Sequence, residues 1–240
     1  MTYHDALAQL GILHAHPGGE PLTAWWMGRV SMPEHARILD VGCGNGATAC
    51  FMAQRWNADV TVLDVRKQMV DHALRLAAER NLRLRGVVGS AEAMPFQRES
   101  FHAIVSESVL VFTKPNRALR EYRRVIEEQG VVIAIEMMTL GPVTDAWRRE
   151  VRQLYGAQFV PDLSGWKRLF YDAGFDVKVL RSGSVSSLPL PVNQQEPTLA
   201  DPKALLDPQI RTVLQQNAQW MEKHGKEMGY GVFELRCAIT

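Results

Sequence analysis

The sequence has no surplus of charge of either sign. Its 27 Lys and Arg stand against 26 Asp and Glu, a formal net charge of +1, so no global field draws the chain to nucleic acid or to an anionic membrane. No apolar run is long enough to span a bilayer, and Met1 to Gly19 lacks the cationic start and apolar centre of a secretion signal. Cysteine is scarce. Cys43, Cys50 and Cys237 form an odd set without a CxxC pair, which reads as reduced thiols in the cytoplasm rather than as a disulfide frame or a zinc site. There is no internal repeat, no low-complexity tract and no HExxH-type cluster, so no metal ligand set is expected. The one basic cluster, Arg117, Arg120, Arg123 and Arg124, is interleaved with Glu121, Glu127 and Glu128 and reads as a solvated helix face.

What is present suits a single packed domain: 240 residues, 46% hydrophobic and 22% charged. Short apolar runs rich in β-branched residues predict strands at Arg37–Val41, Asp59–Asp64, Leu84–Gly89, His102–Ser106 and Gly130–Met137. Between them lie helical stripes, such as Val70, Ala73, Leu74 and Ala77, or Leu119, Tyr122 and Ile126, the latter with Asn116 as a candidate N-cap. Strands alternating with helices in this way imply βαβ units, hence a doubly wound, mostly parallel α/β sheet. Further on, Trp166, Leu169, Phe170 and Ala173 predict a helix ended by Gly174, and Phe175–Leu180 a sixth strand. Ser184 to Pro208, with Pro189, Pro191, Pro197 and Pro202, reads as a covering loop. A helix should start at Pro208 with Asp207 as cap, and Gly231–Ile239 should form the last strand, placing Phe233, Leu235, Cys237 and Ile239 on one face at an antiparallel edge.

The strongest local signal is Asp40-Val-Gly42-Cys43-Gly44-Asn-Gly46, where the first strand hands over to a helix. Glycines there let the backbone turn sharply and approach a ligand closely, at the strand ends where open α/β sheets bind their ligands. With Ala47 as the last position the segment also fits the dinucleotide pattern GxGxxG/A. Asp40 argues for a different ligand. A carboxylate beside a pyrophosphate is repelled, whereas a ligand carrying an ammonium and a sulfonium is attracted. Asp64 ends the second strand about 20 residues downstream of the glycine turn, the interval at which nucleotide-binding folds place an acid that accepts ribose hydroxyls.

Four segments in order, Ile38–Ala49, Val60–Ala73, Val87–Leu110 and Ala118–Glu136, resemble the class I S-adenosylmethionine-dependent methyltransferases, in particular the type 11-like group acting on small molecules. The resemblance implies a Rossmann-like, seven-stranded sheet. Residues 1–35 would form an N-terminal helical cap, 36–139 the cofactor-binding core, and 140–163 and 184–229 the cover of an acceptor site. It further implies that S-adenosylmethionine is the cofactor, with Asp40, Gly42, Cys43, Gly44 and Gly46 at its methionine part and Asp64 at the ribose. Val65 and Met69 would pack on the adenine, Ser90, Ala91 and Glu92 would read its edge, and Ser106 and Glu107 would lie near the ammonium and the transferred methyl. The sequence departs from the family pattern at Ser90, at Phe101-His102 and at Glu128-Gln129-Gly130.

Methyl transfer from a sulfonium needs alignment and exclusion of water, and a general base only for an acceptor that enters protonated. His14, His16 and Glu136 are the candidate catalytic bases, with Glu107 and Tyr155 beside them, and Trp25, Trp26, Trp147 and Tyr155 are candidates for shaping an acceptor pocket. The expected partner is a small-molecule acceptor, without nucleic acid or membrane, the chain being a monomer or homodimer. Two rival readings fit parts of the same sequence: an NAD-dependent oxidoreductase, through GxGxxA and Asp64, and a non-catalytic S-adenosylmethionine-binding protein.

Overall fold

A computed structural model describes residues 1–12, 15–188 and 204–238. Of the features read from the sequence, His14, Ile239 and the prolines at 189, 191, 197 and 202 lie outside these residues. Seven strands form one sheet: β1 (Arg37–Val41), β2 (Asp59–Asp64), β3 (Arg85–Val88), β4 (Phe101–Glu107), β5 (Ile126–Thr139), β6 (Phe175–Ser184) and β7 (Met228–Cys237). Their order is β3-β2-β1-β4-β5-β7-β6. The first five pair in parallel, and β7 runs antiparallel to both β5 and β6. The sequence reading put the last strand at an edge. It lies instead between two neighbours, because Phe233 and Leu235 on one face and Tyr230 and Val232 on the other all have apolar layers to join.

Successive residues of the central strands feed opposite layers, as a pleated sheet covered on both faces requires. Ile38, Val60, Val62, Ala103 and Val105 meet α2 (Gly19–Met27), α3 (Ala47–Trp56) and α4 (Lys67–Glu79). Leu39, Leu63, Ile104 and Val132 meet α5 (Pro115–Val125), α6 (Asp145–Tyr155) and α7 (Leu163–Asp172). Within α5 the cap is Lys114, with extended backbone, and not Asn116. Pro115 takes the first helical position, where its missing N–H costs nothing, and this shifts the start upstream. Gly174, at φ +82°, follows the end of α7, and Asp207 caps α8 (Pro208–His224) by accepting the Gln209 N–H at 2.7 Å.

The first helix, α1 (Tyr3–Gln9), begins with a reciprocal cap: Thr2 Oγ1 accepts the Asp5 N–H, and Asp5 Oδ2 accepts the Thr2 N–H. Its apolar residues Ala6 and Leu10 pack on Ile210 and Val213 of α8. The chain's first helix is thereby held over the C-terminal ends of the parallel strands.

Candidate active site

The C-terminal ends of β1, β2 and β4, their following loops and the N-terminal segment enclose a cavity of about 460 Å³, within the roughly 300–1,000 Å³ usual for small-molecule sites. Asp40, Gly42, Cys43, Gly44, Asp64, Val65, Met69, Ser90, Ala91, Glu92 and Glu107 line it together. Gly46 and Ser106 do not. Gly46, at φ +81°, begins α3 against α4, where a Cβ would lie 2.4 Å from the Ala73 Cβ. Ser106 is fully buried and its hydroxyl shares a 2.9 Å hydrogen bond with Tyr122 Oη. Both are therefore positions of packing.

Asp40, at the tip of β1, is 3% exposed, and its Oδ2 is sealed with no hydrogen-bond partner. Burial first, then the charges of Glu107 and Asp64, push its carboxyl well above the usual range. An unpaired buried carboxylate is costly unless a cation joins it. Asp64 is better satisfied. Its Oδ1 accepts the Arg66 N–H at 2.9 Å and its Oδ2 the Gly44 N–H at 3.3 Å. Burial nevertheless dominates and raises it above the normal value. Gly44 itself has φ +50° and open space where a Cβ would project, so the turn leaves its backbone bare toward the cavity. Burial, with Asp40 and Asp64 nearby, raises the Cys43 thiol and keeps it protonated. Val65 is 66% exposed while Met69 is buried, and both offer apolar surface to the cavity. Ser90 Oγ accepts the Glu92 N–H at 3.1 Å, and Glu92 Oε1 accepts the Lys114 N–H at 2.9 Å.

Glu107, at the end of β4, gathers the N-terminal segment. Its Oε1 accepts from Thr23 Oγ1 at 2.9 Å and Trp26 Nε1 at 3.0 Å, and its Oε2 accepts from Thr48 Oγ1 at 2.7 Å. His16 Nε2 lies 3.2 Å from the same Oε2 and 3.0 Å from Thr23 Oγ1, while its Nδ1 faces the Pro17 carbonyl at 3.1 Å. Since the Thr23 hydroxyl donates to Glu107, both His16 nitrogens face acceptors. Both ring nitrogens of His16 are thus engaged, which ties the ring into the Glu107 network. Asn45 adds a second tie, its Nδ2 donating to the Ile12 carbonyl at 2.9 Å.

Glu136 lies outside the cavity lining. It is fully buried, and its oxygens accept the backbone N–H groups of Val109, Leu110 and Val111 at 3.1, 2.9 and 3.4 Å. Burial outweighs these bonds and pushes it up to about 8. Its place is beneath the loop after β4, as a support rather than a base. Tyr155 reaches the cavity, but its hydroxyl donates to Asn217 Oδ1 at 2.7 Å, and burial raises it further. The tryptophans expected at an acceptor pocket sit elsewhere. Trp26 is buried on Glu107, Trp147 packs on Trp220 in the core, and Trp25 holds the guanidinium of Arg29 4.1 Å from its ring. The aromatic wall is made by His4, Phe112 and Tyr155, with His4 edge-on to Phe112 at 4.8 Å. His4, Asp5 and Phe112 were missed by the sequence reading, although the Thr2-x-x-Asp5 capping pattern marks a helix at that point.

A parallel sheet that ends in a glycine turn, with a buried acid before the turn and a second at the neighbouring strand tip, fits S-adenosylmethionine. The orphaned Asp40 oxygen calls for an ammonium, and the bare turn at Gly44 leaves room for the ligand's backbone-like amino-acid part. The fold and the site are similar to those of class I, S-adenosylmethionine-dependent methyltransferases. The family model described as "Methyltransferase domain" matches residues 38–130. The chain is similar to an uncharacterized methyltransferase, YodH, of Bacillus subtilis, at 29% identity over 231 residues, covering 96% of this chain and 97% of the relative. Two solved structures share the fold. The [4+2]-cyclase SpnF has a TM-score of 0.75 at 22% identity, covering 99% and 93% of the two chains. A phosphoethanolamine N-methyltransferase 2 from Haemonchus contortus, solved with S-adenosyl-L-methionine, has 0.75 at 18% identity over 99% of this chain and 58% of that one. Among the described residues no group of His, Cys, Asp or Glu is placed to hold a metal ion, and no helix is long and apolar enough to cross a membrane.

Proposed function

We propose that the enzyme methylates a small-molecule acceptor in the cavity at the strand ends. S-adenosylmethionine supplies, when bound, a methyl group activated on a sulfonium. Asp40 holds the ammonium of the methionine part, with the backbone of Gly42, Cys43 and Gly44 beside it. Asp64 accepts the ribose hydroxyls, Val65 and Met69 pack on the adenine, and Ser90, Ala91 and Glu92 face its edge. Glu107, tied to His16, Thr23, Trp26 and Thr48, fixes the N-terminal segment as a wall that excludes water. Glu136 sets the loop that carries Val109 and Phe112. No side chain need become covalently attached, because alignment alone is worth roughly 7–11 kcal/mol of barrier.

The described parts of residues 1–35, 140–163 and 184–229 serve as the cover of the acceptor site, a reading supported by the packing of α1 on α8 and by Tyr155 at the cavity. Cys43, Cys50 and Cys237, all buried and outside any disulfide, support a reducing compartment, the cytoplasm. We further infer action as a monomer or homodimer, without nucleic acid.

The observation that carries the proposal is the orphaned, buried carboxylate of Asp40. Titration calorimetry with S-adenosylhomocysteine and NADH tests it. S-adenosylhomocysteine should bind with a stoichiometry of one per chain, and Asp40→Ala should weaken it about tenfold or more, the scale of a charge-assisted hydrogen bond. Tight NADH binding without S-adenosylhomocysteine binding would overturn the assignment. Turnover against a broad acceptor panel separates the enzyme from a sensor.

A further inference from the structure

The cavity wall has an excess of one sign of charge. Five carboxylates line it, from Asp5, Asp40, Asp64, Glu92 and Glu107, and among the described residues the only Lys or Arg lining it is Arg66. That guanidinium is already engaged, 3.4 Å from Asp5 Oδ1 and 3.9 Å from Asp64 Oδ1. The His16 imidazole is likewise engaged with Glu107. The acids also feel one another, since Glu107 and Asp64 both act to raise Asp40. A cleft of this kind concentrates cations and repels anions, most strongly where water is excluded.

One part of the cavity wall is aromatic. His4, Phe112 and Tyr155 meet there, with His4 6.3 Å from Tyr155 and 4.8 Å from Phe112. Burial first, then Arg66, lowers the His4 imidazole to about 4, so this ring adds no cation near neutral pH. Ring faces accept a neutral planar group or a cation, and they offer nothing to a phosphate or carboxylate, which needs Arg, Lys or clustered N–H donors.

We infer that the acceptor carries no anionic group and that His4, Phe112 and Tyr155 seat it as a neutral or cationic molecule within an acid-lined cavity. This rests on the methyl-transfer reading above. An acceptor bearing a phosphate or carboxylate would set that anion against the like charge of Asp5 or of the buried Glu107, where at Glu107 desolvation adds to the repulsion.

Three probes of one shape test it: benzyl alcohol, benzylamine and benzoate, titrated by saturation-transfer NMR onto the enzyme loaded with S-adenosylhomocysteine. The alcohol and the amine should bind, and benzoate should bind about tenfold more weakly or worse. Benzoate binding as tightly as the alcohol would overturn the charge selection. Failure of all three probes on enzyme that binds S-adenosylhomocysteine would remove the aromatic seat. Failure of S-adenosylhomocysteine itself, read first by calorimetry, would instead bring down the methyl-transfer reading on which the inference stands.

Discussion

The Gly44 N–H donates to Asp64 Oδ2 across 3.3 Å, so the glycine turn after β1 is tied to the tip of β2. One carboxylate thereby shapes the loop and faces the cavity. Asp64→Ala should free the turn and remove the proposed ribose acceptor together, lowering S-adenosylhomocysteine affinity on the order of 10- to 100-fold, which is one or two charge-assisted hydrogen bonds. Calorimetry measures it. Asp64 also raises Asp40, so the variant should bring the Asp40 carboxyl back toward its ordinary value, readable in the carboxyl carbon shift against pH.

Two glycines of the same turn should respond differently to alanine. At Gly46 the added Cβ meets Ala73 at 2.4 Å with φ at +81°, so Gly46→Ala should cost on the order of 2–4 kcal/mol in urea unfolding. At Gly44 the methyl enters open space at φ +50°, so Gly44→Ala should cost only about 1–2 kcal/mol while weakening S-adenosylhomocysteine. Equal stability loss at both positions would contradict the packing role assigned to Gly46.

Glu136 gives a pH signature. Burial lifts its carboxyl from the ordinary 4.5 to about 8, so the folded protein holds a proton that the unfolded chain releases. Its contribution to stability is complete below 4.5 and drains away as pH rises through 8, at about 1.4 kcal/mol per unit while the states differ. Urea unfolding between these pH values should show the decline in the wild type and a flatter line in Glu136→Gln. Parallel lines would show that the loop's N–H groups hold the carboxylate ionised.

His16 and Glu107 should behave as one unit. A double-mutant cycle of His16→Ala and Glu107→Ala, read by urea unfolding, should give a coupling of about 1–3 kcal/mol, as for residues sharing one hydrogen-bond network. If His16 were instead a free proton acceptor, the cycle would be additive and His16→Ala would remove an ionisation from the pH–rate profile.

The parallel half of the fold is legible because its cause is local. Ile38, Val60 and Ile104 sit in short β-branched runs, and the glycine turn stands at a strand end whatever surrounds it. Asp40 and Asp64 follow from that placement. The strand order near β7 is not local: whether Phe233 and Val232 find cover depends on β6 returning alongside. The same holds for the acceptor end. His4 and Asp5 reach the cavity only because α1 lies on α8, and no spacing within Tyr3–Gln9 encodes that contact. Glu136 reads from sequence as a candidate base near the end of the fifth strand, but its three backbone donors come from a loop 25 to 27 residues away. Adjacent tryptophans suggested a binding face, whereas Trp26 spends its one donor on Glu107.

The sheet's seventh strand in chain order is wedged between its fifth and sixth. During synthesis β5 and β6 must therefore wait, each with a bare edge toward the other, until Met228–Cys237 leaves the ribosome and zips both shut. Because β5 carries Glu136, and with it the loop bearing Val109 and Phe112, the acceptor wall takes its final shape only when that late insertion is complete. Ribosome-stalled chains cut before Met228 should accordingly be far more open to protease than the finished protein.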